Sequence, residues 1–325
     1  MKPLAPLSLD LDNKWSYLKT HGDASWEDFP SYLDYLVPRV LAELERRDLT
    51  ITFFIVGKDA ADPANYEVLA SIAAAGHEIA NHSYMHEPWL HLYSDEEVRS
   101  DLAHAHDAIA GATGADPRGF RGPGFSLSTG TVHALDALGY AYDATAFPNI
   151  LNPIGRAYYF RTSNLSDQER EQRKALFGTI GDALKPNRPY AWELEDGTAF
   201  IEVPVTTMPG LRVPMHFSYI LYLGGYSRLA AKWYLEVALR LCRLTRAAPS
   251  LLMHPLDFLG RDDEPELAFF PGMAIDYSRK RDLMETALDT WQRHYRTTTV
   301  GEYVDQLPRW LPTQPLRFQA ESSAS

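Results

Sequence analysis

Between Leu36 and Phe147 short apolar runs alternate with stretches of helical period. Residues 31–47 set Leu33, Leu36, Val37, Val40, Leu41 and Leu44 on one helical face. Ile51–Val56 (ITFFIV) is nearly all apolar, the pattern of a parallel strand covered on both sides. A helix is expected over Asn65–Ala75, stopped by Gly76. Ser94-Asp95-Glu96-Glu97 reads as a capping box with an acidic first turn, opening a helix that runs to about Ala112. Strands follow near Gly119–Arg121 and Tyr140–Asp143, with a helix over Ser128–Leu138 between them. Later come strands near Phe200–Val205 and Ser250–Met253, a helix over Tyr277–Tyr295 and a last strand over Thr297–Thr299. Repeated β-α units predict an α/β fold on a parallel sheet, open or closed into a barrel.

Two segments look inserted: a polar, irregular one over 149–188 and an aromatic, partly helical one over 211–244. No linker divides the chain, so residues 1–316 are expected to form one catalytic domain. The Ser- and Ala-rich tail, 317–325, is expected to be disordered.

Composition narrows the partners. Basic residues number 31 against 43 acidic ones and form no run longer than Arg279-Lys280-Arg281, which disfavours a nucleic-acid partner. One cysteine, Cys242, allows no disulfide framework and is expected to be a buried, inert thiol. The first strand pattern, Leu7–Leu11, begins at once, leaving no room for a signal peptide, and no run of about 18 apolar residues exists to span a membrane. A cytoplasmic protein is expected.

Candidate chemistry collects at two places. In Ser8-Leu9-Asp10-Leu11-Asp12, alternation sets Asp10 and Asp12 on one strand face, opposite Leu9 and Leu11. Two carboxylates at the carboxyl end of a parallel strand are costly in a core but sit where such folds build active sites. In Gly76–His86 (GHEIANHSYMH), His82 and His86 are four apart, so on a helical turn they would face one side and could share an ion.

The segments LSLDLD, TFFIVG, GHEIANHSYMH, FRGPGF and LLMHP, in that order, resemble the polysaccharide deacetylase family, well over about residues 7–147 and more loosely over 199–307. That resemblance implies a distorted (β/α) barrel of about seven parallel strands and a metal-dependent hydrolase that removes N-acetyl groups from a sugar or glycan. It implies Asp12, His82 and His86 as metal ligands, Asp10 as general base, Arg121 as the residue holding that base and His254 as general acid. Zinc is the expected ion; cobalt or nickel suit the same donors. The family's Asp-Trp segment has no clear counterpart, so either Asp143 or Glu202 would orient His254, with Asp143 preferred. The aspartates are also separated by a leucine where many members have them adjacent.

The expected substrate contacts are Trp15 and Trp26, on a loop following the first strand, with Tyr84 and Pro123. Tyr17 and His21 lie on that same loop, and the Tyr84 amide is a candidate donor to the tetrahedral oxyanion. His77 reads as a packed turn histidine and His104 and His106 as solvated. Residues 215–226 read as a lid, a patch facing a lipid-linked sugar, a buried helix or a dimer contact, with His216 unassigned. Two other functions compete: hydrolysis of a non-sugar amide or cyclic imide at the same metal, and a catalytically silent carbohydrate binder. A pure binder has no need of base and acid together, which counts against the last.

Overall fold

The computed structural model describes residues 2–165, 170, 182–195 and 197–318. Ten strands form one sheet: β1 (Leu4–Leu11), β2 (Thr52–Ile55), β3 (Glu78–Asn81), β4 (Gly119–Phe120), β5 (Tyr142–Asp143), β6 (Tyr190–Glu193), β7 (Ala199–Glu202), β8 (Leu251–Met253), β9 (Arg296–Thr298) and β10 (Thr313–Pro315). Its backbone is a run of seven parallel strands in the order β7-β5-β4-β3-β2-β1-β8. The two ends of that run approach each other without forming a strand pair. The Thr206 amide donates to the Ser250 carbonyl (2.9 Å), and the Ser250 amide donates to Thr206 Oγ1 (2.8 Å). The fold is thus α/β, a barrel held shut at its seam by hydrogen bonds.

Three further strands extend this run, of which β9 is the last strand that the sequence predicts. β6 pairs antiparallel with β7, β10 adds parallel to β6, and β9 pairs parallel with the first half of β1. Arg296–Thr298 and Thr313–Pro315 are short and polar, so their pairing, not their composition, makes them strands. The helix Leu33–Arg46 buries Leu33, Leu36, Val37, Val40 and Leu44, and Leu41 packs half-buried beside them. The Ser94–Glu97 capping box opens the helix Asp95–Thr113 as its sequence predicts.

One expected loop is a helix. Asn13 caps Lys14–His21, and Gly22 ends it in the left-handed region (φ 86°). The second inserted segment is helical as expected: it forms the helices Phe217–Tyr226 and Arg228–Leu244, whose apolar sides join the main core. Of the first, the helix Asn152–Thr162 is described, whereas 166–169 and 171–181 lie outside the described residues, as does the tail from 319. Among the described residues no helix is long and apolar enough to cross a membrane.

Candidate active site

The carboxyl ends of β1, β3, β4 and β8 converge on one mouth. Asp12 follows β1 directly, and its Oδ1 lies 3.2 Å from His82 Nε2 and 3.0 Å from His86 Nε2. One donor atom from each of the three buried residues falls within 4.8 Å of the others. His82 Nδ1 lies 2.6 Å from the Arg121 carbonyl, which can only accept, so the proton sits on Nδ1 and the Nε2 position faces the carboxylate. Burial opposes ionisation of Asp12, yet the two imidazoles hold its carboxyl well below the usual range; the same carboxylate raises His82 against burial. Asp12 Oδ1 makes no conventional hydrogen bond although it is buried. A buried carboxylate oxygen aimed at two ring nitrogens calls for a cation between them, and this donor set fits a divalent ion of borderline softness.

The histidine pair is not helical. His82 leaves β3, and the chain to Pro88 is irregular, with Ser83 (φ 63°) and His86 (φ 48°) in the left-handed region. Ser83 Oγ accepts the His86 amide (3.1 Å), closing a tight turn that brings both rings to the same side. A spacing of four fits this loop as well as a helical turn, which is why the sequence suggests the wrong element.

Beside the triad, Arg121 is fully buried. Its Nη1 donates to Asp10 Oδ1 (2.6 Å) and Ser8 Oγ (2.8 Å), and Nε donates to the Ala144 carbonyl (2.8 Å). The loop that carries it needs glycine: a Cβ on Gly122 would lie 2.0 Å from the Ser126 carbonyl oxygen. Pro123, buried, opens the short turn that follows. Across the mouth, His254 Nε2 is 4.0 Å from Asp10 Oδ2.

The family model for polysaccharide deacetylases matches residues 24–142, which include His82, His86 and Arg121. A chitin deacetylase of Colletotrichum lindemuthianum is 30% identical over 106 residues, 32% of this chain and 42% of that protein. A peptidoglycan-N-acetylglucosamine deacetylase of Bacillus cereus is 29% identical over 107 residues, covering 33% and 37%. The fold is similar to that of a Mycobacterium smegmatis protein described as a polysaccharide deacetylase, with TM-score 0.55 and 20% identity over 94% of both chains. Over the matched segment the chain is similar to the polysaccharide deacetylase family. It spans about two fifths of the length of these two curated relatives. Asp10, Asp12 and His254 lie outside the matched segment, and the barrel brings them to it.

Several site residues differ from expectation. Neither Asp143 nor Glu202 orients His254. Instead Ser218 Oγ lies 2.9 Å from His254 Nδ1 and donates to Asp257 Oδ2 (3.0 Å), which also accepts the His254 amide (2.8 Å). Since Ser218 gives its proton to Asp257, its oxygen accepts from Nδ1–H, leaving Nε2 toward the mouth. Asp143 pairs in register with Glu202 across β5 and β7 and accepts from Thr145 Oγ1 (2.5 Å), buried away from His254. Asp257, three residues past His254, is visible in the HPLD stretch; Ser218 gives no sequence signal.

Trp15 is fully buried and cannot stack on a sugar: the helix starting at Lys14 turns its ring inward, where Nε1 donates to Asp59 Oδ1 (2.8 Å). Burial pushes Asp59 up to about 7, and Asn13 also donates to it. Trp26 is half-buried, its ring under the Lys19 ammonium (5.0 Å). His21 stacks on Phe269, and Tyr17 is buried against the edge of Phe270. The Tyr84 amide is taken by Asp101 Oδ1 (3.0 Å), so it cannot serve the oxyanion. His216, unassigned from sequence, reaches the mouth: its ring packs near Phe147, Tyr219 and His254, and burial pushes it down to about 3, a neutral imidazole. His77 accepts the Ile51 amide and is lowered to about 4 by burial, the packed turn residue it reads as. His106 is not simply solvated: its ring nitrogens face the Tyr140 hydroxyl (3.1 Å) and Asp116 (3.1 Å). Cys242 is buried, which pushes its thiol up to about 12.

Proposed function

We propose that this protein hydrolyses the acetamido group of an N-acetylated sugar or glycan, giving a free amine and acetate. One observation carries the reading: three convergent metal donors, an arginine-held carboxylate and a histidine share a single mouth. Asp12, His82 and His86 would hold a divalent ion, with zinc the expected one. Such an ion supplies Lewis acidity, activating water and polarising the acyl oxygen.

The chain's own residues then divide the proton work. Asp10 takes the proton of the attacking water, and Arg121 fixes that carboxylate with a charge-assisted bond and shields its orientation from solvent. His254 Nε2, held outward by Ser218 and Asp257, delivers a proton to the departing nitrogen. An amine leaves poorly without that proton, so base and acid must flank the same amide, which the 4.0 Å between Asp10 and His254 permits.

The test is acetate release from a panel of N-acetylated sugars and oligomers by protein stripped with chelator and then reloaded with zinc. Release that depends on added metal is expected. Silence across the panel by protein with stoichiometric metal would overturn the sugar reading, and turnover of an imide in its place would identify the amide chemistry instead.

A further inference from the structure

The helix Arg228–Leu244 carries more apolar surface than the fold uses. Its buried stripe is Ala231, Leu235, Ala238, Leu239 and Cys242. At 3.6 residues per turn, the opposite side holds Leu229, Trp233, Val237, Arg240 and Leu244. Leu229, Trp233 and Leu244 are 79%, 69% and 79% exposed. A surface helix ordinarily turns polar residues outward there, so this is a second hydrophobic ridge pointing at solvent.

The rim of that ridge reverses the charge of the molecule. The helix has four basic residues, Arg228, Lys232, Arg240 and Arg243, and one acidic residue, Glu236, which is already engaged by Arg240 and His294. The whole chain has the opposite bias, 31 basic residues to 43 acidic. An aromatic and aliphatic ridge inside a basic rim matches the chemistry of an anionic lipid surface. A second copy fits worse, because two-fold pairing of this face would set each basic rim against itself.

The ridge is also tied to the site. On the helix Phe217–Tyr226, Ser218, Tyr222 and Tyr226 recur at intervals of four, one stripe running from the His254 contact outward. Tyr226 is 76% exposed, its hydroxyl is 3.1 Å from that of Tyr222, and Leu229 follows three residues later. The eight-residue step from Ser218 to Tyr226 spans about 12 Å of helix.

We propose that the face formed by Leu229, Trp233, Leu244 and their basic neighbours docks the protein peripherally on an anionic lipid bilayer. The apolar side chains enter the boundary between head groups and acyl chains, and the arginines and lysine face lipid phosphates. Docking does not depend on which bond the site breaks. That the substrate is then the amide-bearing head group of a lipid-anchored molecule rests on the hydrolase reading.

The experiment is co-sedimentation of the zinc-loaded full chain with vesicles of phosphatidylcholine alone or mixed with phosphatidylglycerol. Binding to the anionic vesicles only, weakened by salt, is expected. Leu229→Glu/Trp233→Glu should abolish it, and Arg240→Glu/Arg243→Glu should lower it on the order of tenfold. Circular dichroism and metal content check the fold, with Leu229→Ser/Trp233→Ala as milder replacements. Absence of binding by the natural chain, binding untouched by both double variants, or self-association that the same variants abolish would each overturn the proposal. Acetate release from a soluble sugar, measured in parallel, separates the two readings. Docking without release counts against the hydrolase alone, and release without docking against the membrane face alone.

Discussion

Asp10 and Asp143 both lie at the carboxyl ends of parallel strands, both are buried, and both support the Arg121 loop, but they meet different neighbours. Asp10 receives the Arg121 guanidinium directly. Among the described residues no cation pairs with Asp143. It faces Glu202 in register on the next strand, and its Oδ2 has no conventional donor. Burial, reinforced by the Glu202 charge, pushes the Asp143 carboxyl well above the usual range, which favours its protonated form. Thr145 carries the consequence onward: it donates to Asp143 and accepts the Gly122 amide (2.8 Å), bracing the loop from behind. What a buried strand-end carboxyl does is decided by the charge of the group beside it, not by its place on the strand.

The comparison breaks most visibly at the metal donors. Asp12→Ala or His82→Ala should take bound zinc and acetate release to background together, read by elemental analysis of dialysed protein and by the acetate assay. Either variant turning over normally would dissolve the site. Next in size, Asp10→Asn should keep its metal and lose roughly 10²–10⁴ in kcat, the range for a missing general base. Unchanged turnover would show that Arg121 holds Asp10 for structure alone.

How far the chain announced this arrangement depends on whether a residue conflicts with its own element. Asp10 and Asp12 stand out because period-two alternation puts charge where a parallel strand should be apolar, and the strand register confirms that face. His82 and His86 show as a pair, but the loop that aims them depends on positive φ at a serine and a histidine, which composition does not signal. Trp15 reads as a loop aromatic because the partner that buries it, Asp59, lies 44 residues away. Six of the seven parallel strands, and β9, lie where the sequence predicts strands, whereas β3 carries no such prediction and β10 draws its stability from pairing with a distant segment.

Asp143→Asn sharpens the contrast with Asp10→Asn. Asparagine can replace a protonated carboxyl, so acetate release should stay within a few-fold of the natural chain. Stability should respond to pH. With its folded pKa raised, Asp143 contributes stability fully present below the unfolded value near 3.8 and lost as pH rises through the folded value. The variant has no such loss, so its Tm relative to the natural chain should climb as pH increases from acid through neutrality. A difference that stays flat with pH would mean that the fold does not favour the protonated form of Asp143.

The smallest effect is expected at Ser218, where the question is how a residue outside the mouth acts through one inside it. Its hydroxyl accepts from His254 Nδ1 and donates to Asp257, so it fixes which ring nitrogen faces the mouth. Ser218→Ala removes one neutral hydrogen bond, worth about 1 kcal/mol, or about fivefold in rate. That loss should appear in kcat with KM and metal content unchanged, because the imidazole is still present but less often correctly aimed. Ser218→Thr keeps the hydroxyl and should restore kcat. Equal loss in both variants would assign Ser218 to packing of the helix Phe217–Tyr226 and leave Asp257 to hold His254 through its backbone amide alone.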